Sequence, residues 1–219
     1  TTHDEEVRFY ACGGDGTLSE VVNGAVLFPN ASVSCYPCGS GNDFVKYYGG
    51  KENFSDITER CRRENHTIDL IRVNDKVYSA NVVNFGFDAC AARTMDKVRK
   101  TPIIGGRNAY ATGVAAALVK AMKTHAEIIA DGETICADKF MLCTVANGKY
   151  VGGSYQCAPR SLIDDGLLEV CMVKPISYLK FAKLIKPYSK GMHLDDPMFK
   201  DIVVYRRCIF GYFFFIQFL

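Results

Sequence analysis

The apolar residues of the chain fall into short runs punctuated by glycine, and the first runs set the grammar for the rest. Val7–Cys12 (VRFYAC) is β-branched and aromatic and stops at Gly13-Gly14, the pattern of a strand entering a turn. Leu18, Val21, Val22 and Ala25 then recur at i, i+3, i+4 and i+7, which predicts a helix with one apolar face. Thr17 and Glu20 fit a capping box at its start, Thr17 accepting from the third helical amide and Glu20 reaching back. A second strand is predicted over 32–36, ending in another glycine-rich turn, Pro37-Cys38-Gly39-Ser40-Gly41-Asn42-Asp43-Phe44.

Two strand–glycine-turn–helix units in succession predict an open α/β sheet with ligands at the carboxyl ends of its strands. Two strands do not make such a sheet stable; an average sheet has about five or six. Residues 1–66 are therefore expected to be the C-terminal part of an incomplete α/β nucleotide-binding domain whose N-terminal strands are missing. From Thr67 the character changes. TIDLIRVNDKVYSANVVNFGFDAC, AEIIADGETICADKFMLCTVANG and LLEVCMVKP read as strands, with hairpin signals at Asn74-Asp75 and Asp131-Gly132. Helices are predicted at Arg107–Lys123 and Ser177–Lys190. This half, 67–205, is expected to be a β-sandwich-like antiparallel domain with added helices. The tail 206–219, apolar and aromatic, could return to the first domain or form a buried strand, but an altered terminus is the favoured reading.

Composition narrows the function classes. With 48% hydrophobic residues, 14 Phe and 12 Tyr, 219 residues can bury a sizeable core. A net charge of +2 does not suggest a nucleic-acid protein, and no run reaches the roughly 18 apolar residues of a membrane span. TTHDEE has no signal-peptide character. Ten cysteines are scattered through apolar runs, Cys12, Cys90, Cys143 and Cys171 among them, and are expected as small buried thiols in a reducing cytosol. The one close pair, Cys35 and Cys38, lacks the partner pair or nearby histidines of a zinc or redox site.

The chemistry concentrates in the two turns. Gly13, Gly14 and Gly16 would let the backbone take positive φ and let a ligand approach, while the first helical amides and the helix dipole favour an anion. Asp15 inside such a loop suits a role through Mg²⁺, a bridge to a hydroxyl, or a hold on loop amides. The second turn repeats the recipe. Ser40 could bond a phosphate, and Asp43 could join Asp15 around a hydrated cation, or Asn42-Asp43 could be an Asx-turn and helix cap.

GGDGTLSEVVNG followed by PCGSGNDF resembles the diacylglycerol-kinase catalytic-domain family, whose members include bacterial soluble lipid kinases and whose relatives are sphingosine and ceramide kinases. Ile68-Asp69-Leu70, Asn84-Phe85-Gly86-Phe87-Asp88, Ala146-Asn147-Gly148-Lys149-Tyr150-Val151-Gly152-Gly153 and Ala158–Leu168 (APRSLIDDGLL) match in order, so the resemblance covers about residues 7–200. NAD kinases share GGDGT, and phosphofructokinases carry a similar loop, but neither continues this way. The resemblance implies transfer of the ATP γ-phosphate to a lipid hydroxyl, diacylglycerol-like or sphingoid, in a cleft between two domains. By position, Gly13, Gly14, Asp15, Gly16, Thr17, Leu18, Ser19, Glu20, Ser40 and Gly41 would meet the nucleotide. Asp15 and Asp43 would be catalytic, Asp43 through the Mg²⁺ of MgATP. A separate structural Mg²⁺ would use the Asp165 carboxylate and the carbonyls of Leu162 and Leu167. The expected setting is cytoplasmic, peripheral to the inner membrane face through the basic helix 177–190 or the segment Lys97–Arg107. No nucleic acid partner is expected, and homodimerisation stays open.

Two departures accompany the resemblance. The family's nucleotide domain begins some fifty residues before GGDGT, and its late Asp-Gly-Glu supplies the base for the lipid hydroxyl. Asp131-Gly132-Glu133 matches a hairpin instead, so Asp131 is not assigned as the base. These 219 residues are accordingly expected to turn over poorly. The alternatives are an NAD kinase-like small-molecule kinase and a lipid- or nucleotide-binding pseudokinase.

Overall fold

The structure is a computed structural model that describes residues 5–99, 115, 118, 123–136, 138–153, 155–194, 202–208 and 215–218. It divides into two compact units, one of 1–82 with 146–167 and one of 83–145 with 168–219.

In the first unit, strand β1 (Val7–Gly13) leads into helix α1 (Asp15–Ala25) and strand β2 (Ala31–Pro37). β1 and β2 pair in parallel with Val7 opposite Ala31 and Gly13 opposite Pro37, so both glycine turns leave the same edge. The predicted helix face is the one buried: Leu18, Val22 and Ala25 are inside, and Val21 packs beside them. They meet Ala11, Cys35, Phe44, Val45, Phe54 and Ala80 in one core.

Helix α2 (Ile57–Arg62), which the apolar pattern did not announce, is set by Asp56. The Asp56 carboxylate accepts from the amides of Thr58 (2.9 Å) and Glu59 (3.1 Å). The Arg8 guanidinium of β1 holds the other end, donating to the carbonyls of Arg60 (2.9 Å) and Arg63 (3.0 Å), a favourable place for a cation. Strands β3 (Ile71–Val73) and β4 (Val77–Ser79) form the predicted hairpin, with Asn74 and Asp75 both at positive φ.

The second unit holds strands β5 (Val82–Gly86), β6 (Thr124–Ala130), β7 (Glu133–Cys136), β8 (Lys139–Phe140), β9 (Leu142–Ala146), β10 (Leu167–Val173), β11 (Ile202–Cys208) and β12 (Phe215–Phe218). One sheet runs β11-β10-β9-β5 and another β12-β6-β7, with β8 also on β6. Ala126, Ile128, Phe140, Cys143, Val170 and Met172 from both sheets close on one core, a β-sandwich-like arrangement. Asp131 (φ +51°) and Gly132 (φ +78°) join β6 to β7 as a two-residue turn, which is the hairpin expected of Asp131-Gly132-Glu133.

Several expectations are corrected. Phe87-Asp88-Ala89-Cys90 is not a strand end but the start of helix α3 (Phe87–Arg99), because Gly86 at φ +77° ends β5 and turns the chain. Helix α4 (Tyr178–Ser189) forms where expected, with the Ser177 hydroxyl accepting from the Lys180 amide. Cys143 and Cys171 are buried, but Cys12 is exposed, because it alternates with buried Ala11 along β1, and Cys90 is half-buried. The helix predicted at 107–123 and most of the segment 97–107 lie outside the described residues. Of the tail, 215–218 pairs antiparallel with β6. No helix among the described residues is long and apolar enough to cross a membrane.

Candidate functional site

The capping box does not form. α1 begins at Asp15 with Gly14 at the N-cap and no side-chain cap, three residues ahead of the predicted start, which puts Thr17 inside the first turn and leaves Glu20 exposed. The first helical bond is from the Leu18 amide to the Gly14 carbonyl (3.0 Å), so the amides of Gly16 and Thr17 stand at the helix N-terminus without a capping side chain. That end carries partial positive charge and suits an anion.

The glycines do a different job from the one expected. None of Gly13, Gly14, Gly16, Gly39 and Gly41 takes positive φ; in the second turn that role falls to Asn42 (φ +51°). Their small size matters instead, because the two turns touch backbone to backbone. A Cβ on Gly39 would lie 2.4 Å from the Gly14 Cα, and one on Gly41 would lie 2.7 Å from Asp15 Oδ2. A Cβ on Gly13 would meet the Thr17 hydroxyl at 2.2 Å. Gly16 alone in this group faces open space, with nothing within 4 Å.

Asp15 stitches the turns together. Its Oδ1 accepts from the amides of Asp43 (2.6 Å) and Phe44 (3.3 Å), which is the hold on loop amides anticipated for it. Asn42 braces the second turn from within, accepting from the Gly39 amide (3.0 Å) and donating to the Gly39 carbonyl (2.6 Å). Ser40 is exposed on the same turn.

Asp43 is buried and is not a cap, since its side chain makes no cap bond to the short 3₁₀ turn Phe44–Tyr48 that follows. Its carboxylate reaches the chain's later glycine-rich stretch instead, taking the Gly153 amide on both oxygens at 3.0 Å. The Lys46 ammonium lies 2.7 Å from Asp43 Oδ1 and also donates to the Gly153 carbonyl. Lys46 and Gly153 were not singled out from the sequence, although Gly153 ends a quoted motif and Lys46 follows another by two residues. Tyr48, on the same 3₁₀ turn, has its phenol pushed up to about 12, chiefly by burial and secondarily by Tyr47.

Several other motif residues are structural joints of the first unit. The Asn23 side chain pairs with the β4 backbone like a strand edge, donating to the Tyr78 carbonyl and accepting from the Tyr78 amide, both at 2.7 Å. Asn147 is fully buried and donates to the carbonyls of Asp69 (2.7 Å) and Ala80 (3.2 Å). Asp69 Oδ2 accepts from the Gly166 amide (2.7 Å), which ties the Asp164-Asp165-Gly166 turn to the start of β3. Asp165 Oδ1 accepts from the Leu167 amide (3.1 Å). Leu162, Asp165 and Leu167 lie within six residues of one another along the chain, and a carboxylate with two carbonyls is by its chemistry an all-oxygen donor set of the kind a hard cation takes. No group of three or more His, Cys, Asp or Glu side chains suited to a metal occurs among the described residues.

This geometry coincides with matches to known proteins. Residues 2–73 match the diacylglycerol kinase catalytic domain, and 81–206, over half the chain, match the YegS C-terminal NAD kinase beta sandwich-like domain. The chain belongs to the diacylglycerol kinase catalytic-domain family, a family of lipid kinases. It is 29% identical over 189 residues to the diacylglycerol kinase of Bacillus subtilis (strain 168), covering 85% of this chain and 61% of that protein. It is 30% identical over 181 residues to a protein of Shewanella frigidimarina (strain NCIMB 400) named "Probable lipid kinase YegS-like", covering 80% and 57%. The chain therefore spans about three fifths of the length of these relatives. A crystal structure of a diacylglycerol kinase from Bacillus anthracis str. Sterne shares the fold with a TM-score of 0.59 at 20% identity, covering 91% of this chain and 62% of that one.

Proposed function

We propose that the chain carries the nucleotide-loop half of an ATP- and Mg²⁺-dependent lipid kinase, which passes the ATP γ-phosphate to a hydroxyl of a diacylglycerol-like or sphingoid lipid. The observation that supports this best is the shared edge of β1 and β2, where two glycine turns lie in contact and Asp15 locks one to the other. Phosphoryl transfer asks a protein mainly for positioning and charge stabilisation, and this edge is built for the first.

In this reading the amides of Gly16 and Thr17 donate to phosphate oxygens, and the open space over Gly16 lets the phosphate come close. Gly13, Gly14, Leu18, Ser19, Glu20 and Gly41 shape the surrounding loop, and the exposed Ser40 hydroxyl adds a donor. Asp15 and Asp43 supply the carboxylates on the metal side, with Lys46 and Gly153 fixing Asp43. Mg²⁺, when bound with ATP, offsets the phosphate charge. Asp165 with the carbonyls of Leu162 and Leu167 would hold a second, structural Mg²⁺.

Incubation of the protein with labelled ATP, Mg²⁺ and a panel of diacylglycerol, sphingosine and NAD tests the reading. Slow accumulation of label in lipid is the expected result, in keeping with the poor turnover expected of these 219 residues; label in NAD alone, or no labelled lipid even at high protein concentration and long incubation, sinks it.

A further inference from the structure

Helix α4 presents a surface that its packing leaves unused. Leu184 and Tyr188 are buried. Roughly opposite them on the helix, Lys183, Lys186 and Lys190 form one exposed stripe at i, i+3 and i+7. Leu179 shares that stripe at 69% exposure and Met192 follows just beyond the helix at 61%, whereas the Tyr178 phenol to one side donates to the Leu118 carbonyl (3.2 Å). No Asp or Glu occurs from Val170 to Leu194, and among the described residues none of the three ammonium groups forms an ion pair.

Solvation alone accounts poorly for this face. Like charges three and four apart on a helix repel, and the exposed leucine and methionine leave apolar area in water. The C-terminal place of Lys186 and Lys190 suits the helix dipole, but the dipole is indifferent to Leu179. An anionic bilayer answers both features at once. Lipid phosphates meet the lysines, while the leucine and methionine side chains enter the boundary between headgroups and acyl chains. A nucleic acid would meet the lysines and leave the apolar residues wet.

We propose that the exposed face of α4 is a docking surface for membranes rich in anionic lipid. The proposal draws on the lipid-kinase reading only for why a bilayer would be near; the contact itself needs neither nucleotide nor turnover.

Co-sedimentation of the full chain, without nucleotide, with vesicles of phosphatidylcholine or an equimolar phosphatidylglycerol–phosphatidylcholine mixture tests it. Wild type is expected on the anionic vesicles only, released by salt. At about fivefold per lysine, neutralising all three with Lys183→Gln, Lys186→Gln and Lys190→Gln lowers partitioning roughly a hundredfold. The Glu triple lowers it further, and Leu179→Ala lowers it severalfold with unchanged circular dichroism. The Gln triple keeps the test valid if charge reversal unfolds the helix. Wild-type partitioning by the Gln triple overturns the proposal. So does equal binding to neutral vesicles, or a DNA duplex displacing the vesicles while Leu179→Ala binds them like wild type. A protein that docks but transfers no phosphate would fail only the kinase reading.

Discussion

Both carboxylate oxygens of Asp43 lie 3.0 Å from the amide nitrogen of Gly153, 110 residues further along the chain. A buried carboxylate accepting a backbone amide and a lysine is a charge-assisted joint, stronger than a neutral hydrogen bond. Asp43→Asn keeps the shape but puts a weaker acceptor opposite the amide and loses the ion pair. It should lower unfolding free energy by about 1.5–3 kcal/mol. Lys46→Met, at a partly exposed site, should cost about 1 kcal/mol or less. Urea unfolding of both and of the double variant measures the coupling, and an Asp43→Asn midpoint equal to wild type would refute the joint.

Two glycines separate a packing role from a ligand role. Gly39→Ala drives a Cβ to 2.4 Å from the Gly14 Cα, backbone against backbone, and should destabilise by about 1–3 kcal/mol. Gly16→Ala meets nothing within 4 Å and lies inside α1, where alanine is favoured over glycine by about 0.5–1 kcal/mol. Its melting temperature should hold or rise while MgATP affinity falls at least about tenfold, or about 1.4 kcal/mol. Thermal unfolding with and without MgATP reads both quantities. Undiminished nucleotide stabilisation of Gly16→Ala would remove the amides of α1 from the phosphate site.

The same residues show what a sequence can and cannot display. β1, α1 and β2 were legible because their apolar spacing is periodic and their ends carry glycine. Asn74-Asp75 and Asp131-Gly132 were legible because a tight hairpin needs positive φ at residues that tolerate it. The capping box misled because Thr17 and Glu20 satisfy its spacing while the helix starts earlier, at a glycine N-cap. α3 was hidden because FGFDAC has strand composition and only Gly86 marks the break. Lys46, Gly153, Asn23 and Asn147 were invisible as partners because their contacts span 55 to 107 residues or more, except for the short step from Lys46 to Asp43. Spacing arguments do not reach across such distances. The motifs pointed to the right segments, and the segments' joints had to be seen.

Asp88 supplies a pH test inside the second unit. Burial pushes its carboxyl up to about 6 from an ordinary 3.8. A raised carboxyl keeps its proton longer in the folded chain than in the unfolded one. Stability at this site is therefore greatest below about pH 4, falls as pH rises from about 4 to about 6, and is level above that. The total change is on the order of 3 kcal/mol. Asp88→Asn should flatten that part of the profile and be more stable than wild type at neutral pH. Denaturant unfolding of both proteins across pH 4–7 gives the difference directly, and parallel profiles would show that Asp88 does not titrate in this window.

The cysteines divide by reactivity in a way that also tests the Cys35-Tyr36-Pro37-Cys38 pair. Cys12, Cys38 and Cys61 are exposed, whereas Cys35, Cys143, Cys157 and Cys171 are buried. Burial pushes the thiols of Cys35 and Cys171 up to about 12 and raises that of Cys143, so the nucleophilic thiolate is scarce in each. The Arg60 guanidinium draws Cys35 down, but less than burial raises it. Brief iodoacetamide treatment of the native protein at pH 8 should modify Cys12, Cys38 and Cys61, with the four buried thiols reacting only in urea. Mild oxidation should leave Cys35 and Cys38 unbridged, because one points into the core beside Ala11 while the other faces water. Peptide mass spectrometry identifies each adduct. Native labelling of Cys35 at the rate of Cys38, or a bridge between them, would show that the first unit opens at the turn the proposed phosphate site depends on.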